Sequence, residues 1–263
     1  MNGKLDVGRV FERVFAIYRD QFALLIPAAL ILFVPVALLT GAIFSGTVGP
    51  LELALVLAVG AIAGYWFQAM VVEAARDILD GRRDHTLGTL LRSVAPVLGP
   101  LIVAGILAGI AVGIGYAFLV VPGLFLATIW AVIAPVIVIE RRRALEAFGR
   151  SRELVRGHGW QVFAVIAILF VLQIVITGLV RVIVDNVDEG FLAYTLSELI
   201  VRLVLAPLSA LAAAVLFFEL KDLRGEPVLE TGDEPAPDAA PPVPPPPAAP
   251  TTGTEDPGSS PPG

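Results

Sequence analysis

Six long apolar stretches separated by short polar segments dominate the chain: residues 22–44, 51–72, 97–119, 123–139, 160–184 and 199–220. A helix needs about 20 apolar residues to cross a hydrocarbon core roughly 30 Å thick. Every stretch but the fourth reaches that length. The pattern predicts an all-α membrane protein, a bundle of about six transmembrane helices. Pro122-Gly123 predicts a tight turn between the third and fourth stretches, which would pair as a hairpin. Pro27, Pro35, Pro135 and Pro207 lie inside stretches, where each removes a backbone donor and kinks a helix unless neighbours compensate.

The polar segments carry a second pattern. Val7, Val10, Phe11, Val14, Phe15 and Tyr18 recur at helical spacing, with Arg9, Glu12, Arg13 and Arg19 between them. This predicts an amphipathic helix lying in the headgroup region on the cytoplasmic side. Leu87, Leu90, Leu91 and Val94 repeat the spacing, and Ala144, Phe148, Ser151 and Val155 follow it less regularly. Each segment precedes a pair of apolar stretches, as three units of interfacial helix plus hairpin would.

Composition sharpens the picture. The chain is 57% hydrophobic and 16% charged, against roughly 45–50% and 25% for soluble domains. Cysteine is absent, which excludes disulfides, thiolate metal sites and cysteine nucleophiles. The N-terminal twenty residues do not have the pattern of a cleaved signal peptide. The net charge of −6 is concentrated at one end. Residues 225–263 hold seven carboxylates and no Lys or Arg, so the expected division is a transmembrane domain over 1–224 and a Pro-rich acidic tail over 225–263. The tail, with Pro241-Pro242-Val243-Pro244-Pro245-Pro246-Pro247, has too little apolar surface to offset its ordering entropy and is expected to be a disordered, cytoplasmic, polyproline-rich segment.

Sixteen of the eighteen basic residues flank the same ends of the apolar stretches; Arg181 and Arg202 alone flank the other ends. Basic residues beside short loops are retained in the cytoplasm. The expectation is a multi-pass protein of a bacterial plasma membrane with both termini cytoplasmic.

Three groups of residues are candidate sites. Arg141, Arg142, Arg143, Arg150, Arg152 and Arg156 form a polybasic segment suited to anionic lipid headgroups, where each charge near the surface contributes about 1 kcal/mol. Gly105, Gly109 and Gly113 place a glycine every fourth residue along one helix face, allowing another backbone to approach. Arg181, Asp185, Asp188, Glu198 and Arg202 form a charged cluster at the outer ends of the last two stretches, with Glu198 and Arg202 one helical turn apart. Ionisable groups so close to hydrocarbon serve either structural pairing or a gate or substrate contact. Asp80, Asp84 and His85 are the only nearby material for interfacial acid–base chemistry. No nucleotide-binding Gly-rich loop, HExxH or GxSxG pattern occurs, and no carboxylate is expected deep in the bundle.

The segment from Pro122 to Phe163 resembles the signature region of the bacterial glycerophosphoryl diester phosphodiesterase membrane-domain family. The resemblance rests on Pro122-Gly123, Trp130, Pro135-Val136, Glu140, Ala144-Leu145, Ser151, Leu154-Val155, Gly157, Trp160 and Phe163. The N-terminal segment and the exit sequence from Pro207 to Arg224 fit as well. It implies a six-helix membrane module covering nearly all of 5–224. It does not imply phosphodiesterase activity, because nothing here corresponds to the catalytic barrel of the family's fused members.

The resulting expectation is a non-enzymatic inner-membrane protein with no cofactor or metal, a scaffold or lipid-interacting accessory. The alternative is a permease for an amphiphile or small neutral solute, which requires a polar cavity lined by Gln173, Thr177 and the outer cluster. The expected partners are the bilayer, its anionic lipids, and a membrane or cytoplasmic protein; none is a nucleic acid. The pattern leaves the oligomeric state open.

Overall fold

A computed structural model describes residues 5–46, 48–79, 87–185 and 190–226. Within them the chain is helical and no strand occurs. The elements are α1 (Val7–Asp20), α2 (Phe22–Phe44), α3 (Pro50–Leu79), α4 (Leu87–Ser93), α5 (Ala95–Phe118), α6 (Val120–Ile129), α7 (Ile133–Ile139), α8 (Ala144–Val155), α9 (Gly159–Asp185) and α10 (Phe191–Leu223). Six segments are long and apolar enough to cross a membrane: Phe22–Phe44, Pro50–Ile78, Ala95–Phe118, Val121–Ile139, Gly159–Val184 and Phe191–Leu223. The helices over the second and sixth stretches run well beyond the apolar residues that signal them. Backbone hydrogen bonding continues into flanks where polar side chains find partners.

α10 is the central element, packed against α1, α2, α3, α7, α8 and α9. Its residues Ala210 to Lys221 are all buried. α2 and α10 run through Pro27, Pro35 and Pro207 without interruption. The fourth apolar stretch does break. α6 ends at Ile129, Trp130 to Val132 turn, and α7 restarts at Ile133. Pro135 sits in the first turn of α7, where its missing N–H costs nothing. Pro122-Gly123 falls inside the first turn of α6, and the extended residue Leu119 makes the connection from α5. The hairpin pairing of α5 with α6 holds, but Gly115 provides it: a Cβ there would lie 2.8 Å from the Cα of Gly123.

The amphipathic helices form where expected. Asp6 caps α1, accepting a hydrogen bond from the Arg9 amide at 3.2 Å. Their apolar faces, however, are turned onto the bundle. Val10 and Val14 of α1, Leu90 beside Val94, and Ala147, Ser151, Leu154 and Val155 of α8 are buried against the chain itself. Phe15 falls outside this face and stays exposed, while Ile17 packs inward. Three times along the chain, a short amphipathic helix precedes a pair of long apolar segments.

α10 closes with a Schellman arrangement. Gly225 adopts φ +67°, and the Glu226 amide donates to the Lys221 carbonyl at 3.0 Å. The polyproline segment, Asp80, Asp84, His85 and Asp188 lie outside the described residues.

Candidate functional site

The two ends of the bundle differ in chemistry. At the end holding α1, α4, α8 and the termini of α7 and α10, the sequence motif of arginines meets a set of carboxylates. Glu140, which caps the end of α7, is at the centre. It accepts a hydrogen bond from Arg142 Nε at 2.8 Å and from Arg150 Nε at 3.1 Å, and Lys221 Nζ stands 3.6 Å away. Arg150 also pairs with Glu226 and, at 3.3 Å, with Glu153. Arg141 reaches Glu73 of α3 at 3.7 Å, and Arg13 of α1 holds Glu219 of α10. The side chains of Glu140 and Lys221 are only 8% and 5% exposed.

Burial by itself would raise the Glu140 pKa. Hydrogen bonds from Arg150 and Arg142, with the charges of Arg150 and Lys221, outweigh it and hold the carboxyl below its ordinary value. Burial likewise disfavours the Arg150 charge, but hydrogen bonds to Glu226 and Glu140 reverse that and raise its pKa.

The polybasic segment is therefore divided. Arg141, Arg142 and Arg150 are ion-paired within the protein, joining α3, α7, α8 and α10. Arg143, Arg152 and Arg156 are exposed and have no carboxylate partner among the described residues. Arg141 also adopts φ +51°, the left-handed residue that ends α7. Sequence reasoning missed Glu219. It lies one residue from the end of the sixth apolar stretch and is buried, and Arg13 from a distant helix compensates it.

The same end contains the joint at the broken fourth span. With α6 stopping at Ile129, its carbonyl lacks the donor that a continuing helix would supply. Ser151 of α8, fully buried, donates to it at 2.9 Å. The Trp130 ring meets Phe148 edge to face, centroids 4.9 Å apart. Ser151 and Trp130 thus tie α6 and α8 together at one structural joint.

Between α3 and α9, over a floor of α10 and part of α2, lie two adjoining cavities of about 550 and 570 Å³. Both are bounded by Val56, Leu57, Gln173, Glu198, Val201 and Arg202. The upper one adds Thr40, Thr177, Arg181, Tyr194 and Ser197. The lower adds Gly60, Ala61, Gly64, Leu205 and Ala206, with Gln68 and Ser209 at its deeper reach. The lining runs from Leu53 to Gln68 on α3 and from Ala193 to Ala210 on α10, so the two cavities together extend about 22–26 Å along the bundle at 1.5 Å per residue. They close where α10 becomes buried at Ala210.

Three members of the charged cluster, Arg181, Glu198 and Arg202, line these cavities. Glu198 and Arg202 are ion-paired at the junction of the two chambers. The Arg202 guanidinium lies 5.4 Å from the Phe33 ring centroid, and a Cβ on Gly60 would sit 3.1 Å from its Nη2. Gln173 donates to Thr177 at 3.2 Å. Arg181 borders the upper chamber without a carboxylate partner among the described residues; the side chain of Asp185 lies outside them.

The glycine stripe is only partly used. At Gly105 a Cβ would overlap the Tyr65 ring, with its Cε1 at 2.6 Å, whereas Gly109 and Gly113 have nothing within 4 Å. The closest backbone approaches fall at Gly115 and at Gly41, where a Cβ would lie 2.8 Å from the Phe191 carbonyl. Periodicity alone gave no sign of either.

The fold and site define a multi-pass, all-helical protein with six segments able to span a membrane, a buried ionic clamp at one end and a polar-lined cavity reaching in from the other. Comparison with known proteins gives no matching family model, curated protein or solved structure.

Proposed function

We propose that this is a non-enzymatic multi-pass protein of a bacterial plasma membrane that binds an amphiphile in the cavity between α3, α9 and α10 and acts as a permease or carrier for it. One observation carries the reading: Gln173, Thr177, Arg181, Glu198 and Arg202 line two adjoining, partly open cavities between helices of an otherwise apolar bundle. Ionisable and amide groups are costly at that depth, and lining a ligand path compensates the cost. The arginine distribution supports placing both termini in the cytoplasm and the cavity mouth on the opposite side. The resemblance to the phosphodiesterase membrane module supports the six-helix architecture and is no argument for catalysis.

A lipid-contacting accessory role is the second reading. Arg143, Arg152 and Arg156 favour it, being exposed and unpaired among the described residues.

Gly64 provides the test. A Cβ there meets nothing within 4 Å, and the residue borders the lower chamber. Gly64→Trp should fill the cavity while leaving the fold intact. The variant is expected to purify as the parent does and to lose co-purifying lipid, measured by mass spectrometry. Retention of the same bound lipid at the same occupancy would refute the cavity as the binding site.

A further inference from the structure

We infer that the amphiphile this cavity takes carries an anionic headgroup, held by Arg181 and Arg202 in the upper chamber, with its alkyl chain in the lower one. The inference deepens the carrier reading and rests on it.

The two chambers differ in chemistry along one axis. The upper presents hydroxyls and guanidinium groups from α2, α9 and α10. The lower is walled mainly by aliphatic and glycine positions, with Gly60, Ala61 and Gly64 leaving the α3 wall without bulk. A molecule that satisfies both must be polar at one end and apolar along its length.

The sign of the head follows from the charges. Among the described residues, Arg181, Arg202 and Glu198 are the charged side chains that line the chambers. Glu198 is engaged by Arg202, which among these three leaves one positive charge in excess. Arg202 is held against Phe33 above Gly60, so its fork is positioned before a ligand arrives. Gln173 and Thr177 supply neutral donors beside it. A cationic head would face uncompensated arginines, and a neutral head would leave the excess charge unpaired. An anion does neither.

The test uses the full chain in nanodiscs of zwitterionic phosphatidylcholine. Two diazirine photoprobes, a hexadecanesulfonate and a hexadecanol, are compared, and the crosslinked residues are mapped by mass spectrometry. The sulfonate is charged at every working pH, and the alcohol shares its chain. The sulfonate is expected to label Ala61, Leu205 and Ala206 about tenfold or more above the alcohol, the factor that charge-assisted hydrogen bonding supplies. Arg181→Gln should remove most of that advantage and leave alcohol labelling unchanged. The paired change Glu198→Gln with Arg202→Gln, which removes the positioned fork without stranding the Glu198 carboxylate, should lower that advantage as well. Arg181 is exposed, so its variant keeps the test decisive if the paired one does not fold.

Equal labelling by the two probes, unaffected by either variant, would overturn the choice of an anion and leave the cavity reading standing. Complete displacement by excess methanesulfonate would show that the site takes a small free anion, and would overturn the amphiphile. Labelling that avoids the cavity walls with both probes and ignores Gly64→Trp would overturn the carrier reading itself.

Discussion

Glu140 shows how one carboxylate can redirect a run of arginines. Six basic residues beside an apolar stretch read as a headgroup site, because attraction to anionic lipid is the default for unpaired cations at a membrane surface. Glu140 is part of that run in the chain, but Glu73 and Glu219 arrive from other helices, Glu226 arrives from just beyond α10, and no local pattern announces them. Removing one member of a buried pair leaves its partners uncompensated, at a cost of about 3 kcal/mol. Glu140→Gln is therefore expected to lower the thermal midpoint in detergent by on the order of 10 °C, whereas Arg152→Gln, an exposed change, should leave it within error. The pH dependence has a definite sign. A carboxyl whose folded pKa is depressed stabilises fully above its unfolded value, near the ordinary 4.5, and loses that contribution as pH falls through the lower folded value. The parent should lose midpoint steadily below about pH 4.5, and Glu140→Gln should lose distinctly less over the same interval. A parallel acid response in the two proteins would remove Glu140 from the account.

At the scale of elements, helix existence was legible and helix contact was not. Apolar length and 3.6-residue periodicity are properties of a segment alone, so all six spans and the three amphipathic helices were readable. Which glycine is needed depends on the neighbour it meets. The stripe at Gly105, Gly109 and Gly113 has the right spacing, yet α6 meets α5 at Gly115. Glycine to alanine in a helix otherwise gains up to about 1 kcal/mol, so Gly109→Ala should be neutral or stabilising. Gly115→Ala forces a Cβ into the α6 backbone and should lose about 1–3 kcal/mol, visible as a lower midpoint. A reversed order of the two variants would contradict the packing. The break in the fourth span belongs here too. Pro135 marked a disturbance, but the carbonyl freed at Ile129 needed a donor, and only the docking of α8 brings Ser151 to it.

For the whole molecule, the asymmetry between ends organises function. One end is closed by the ionic clamp and the buried terminal part of α10, and the other admits a cavity between α3 and α9. If the arginine-rich end faces the cytoplasm, the mouth opens outward. The cysteine-free chain makes this directly measurable. A membrane-impermeant maleimide should label Leu51→Cys in intact cells, since Leu51 is 79% exposed at the mouth end. Gly149→Cys, on the exposed face of α8, should react only after permeabilisation. Labelling of Gly149→Cys from outside would invert the expected topology and the direction of the proposed carrier.

Sequence alone determined that six segments are long and apolar enough to cross a membrane, because hydrophobic length, periodicity and charge are summed along a segment without reference to any other. It also pointed to the charged cluster that lines the cavity, since ionisable residues in an apolar stretch stand out by composition. Tertiary structure decided which arginines are free and which are bound, where helices touch, and that Gln173, Thr177 and the cluster surround a common space. Those outcomes depend on distances between residues far apart in the chain, such as Arg13 and Glu219. Only the packing of the helices sets such distances.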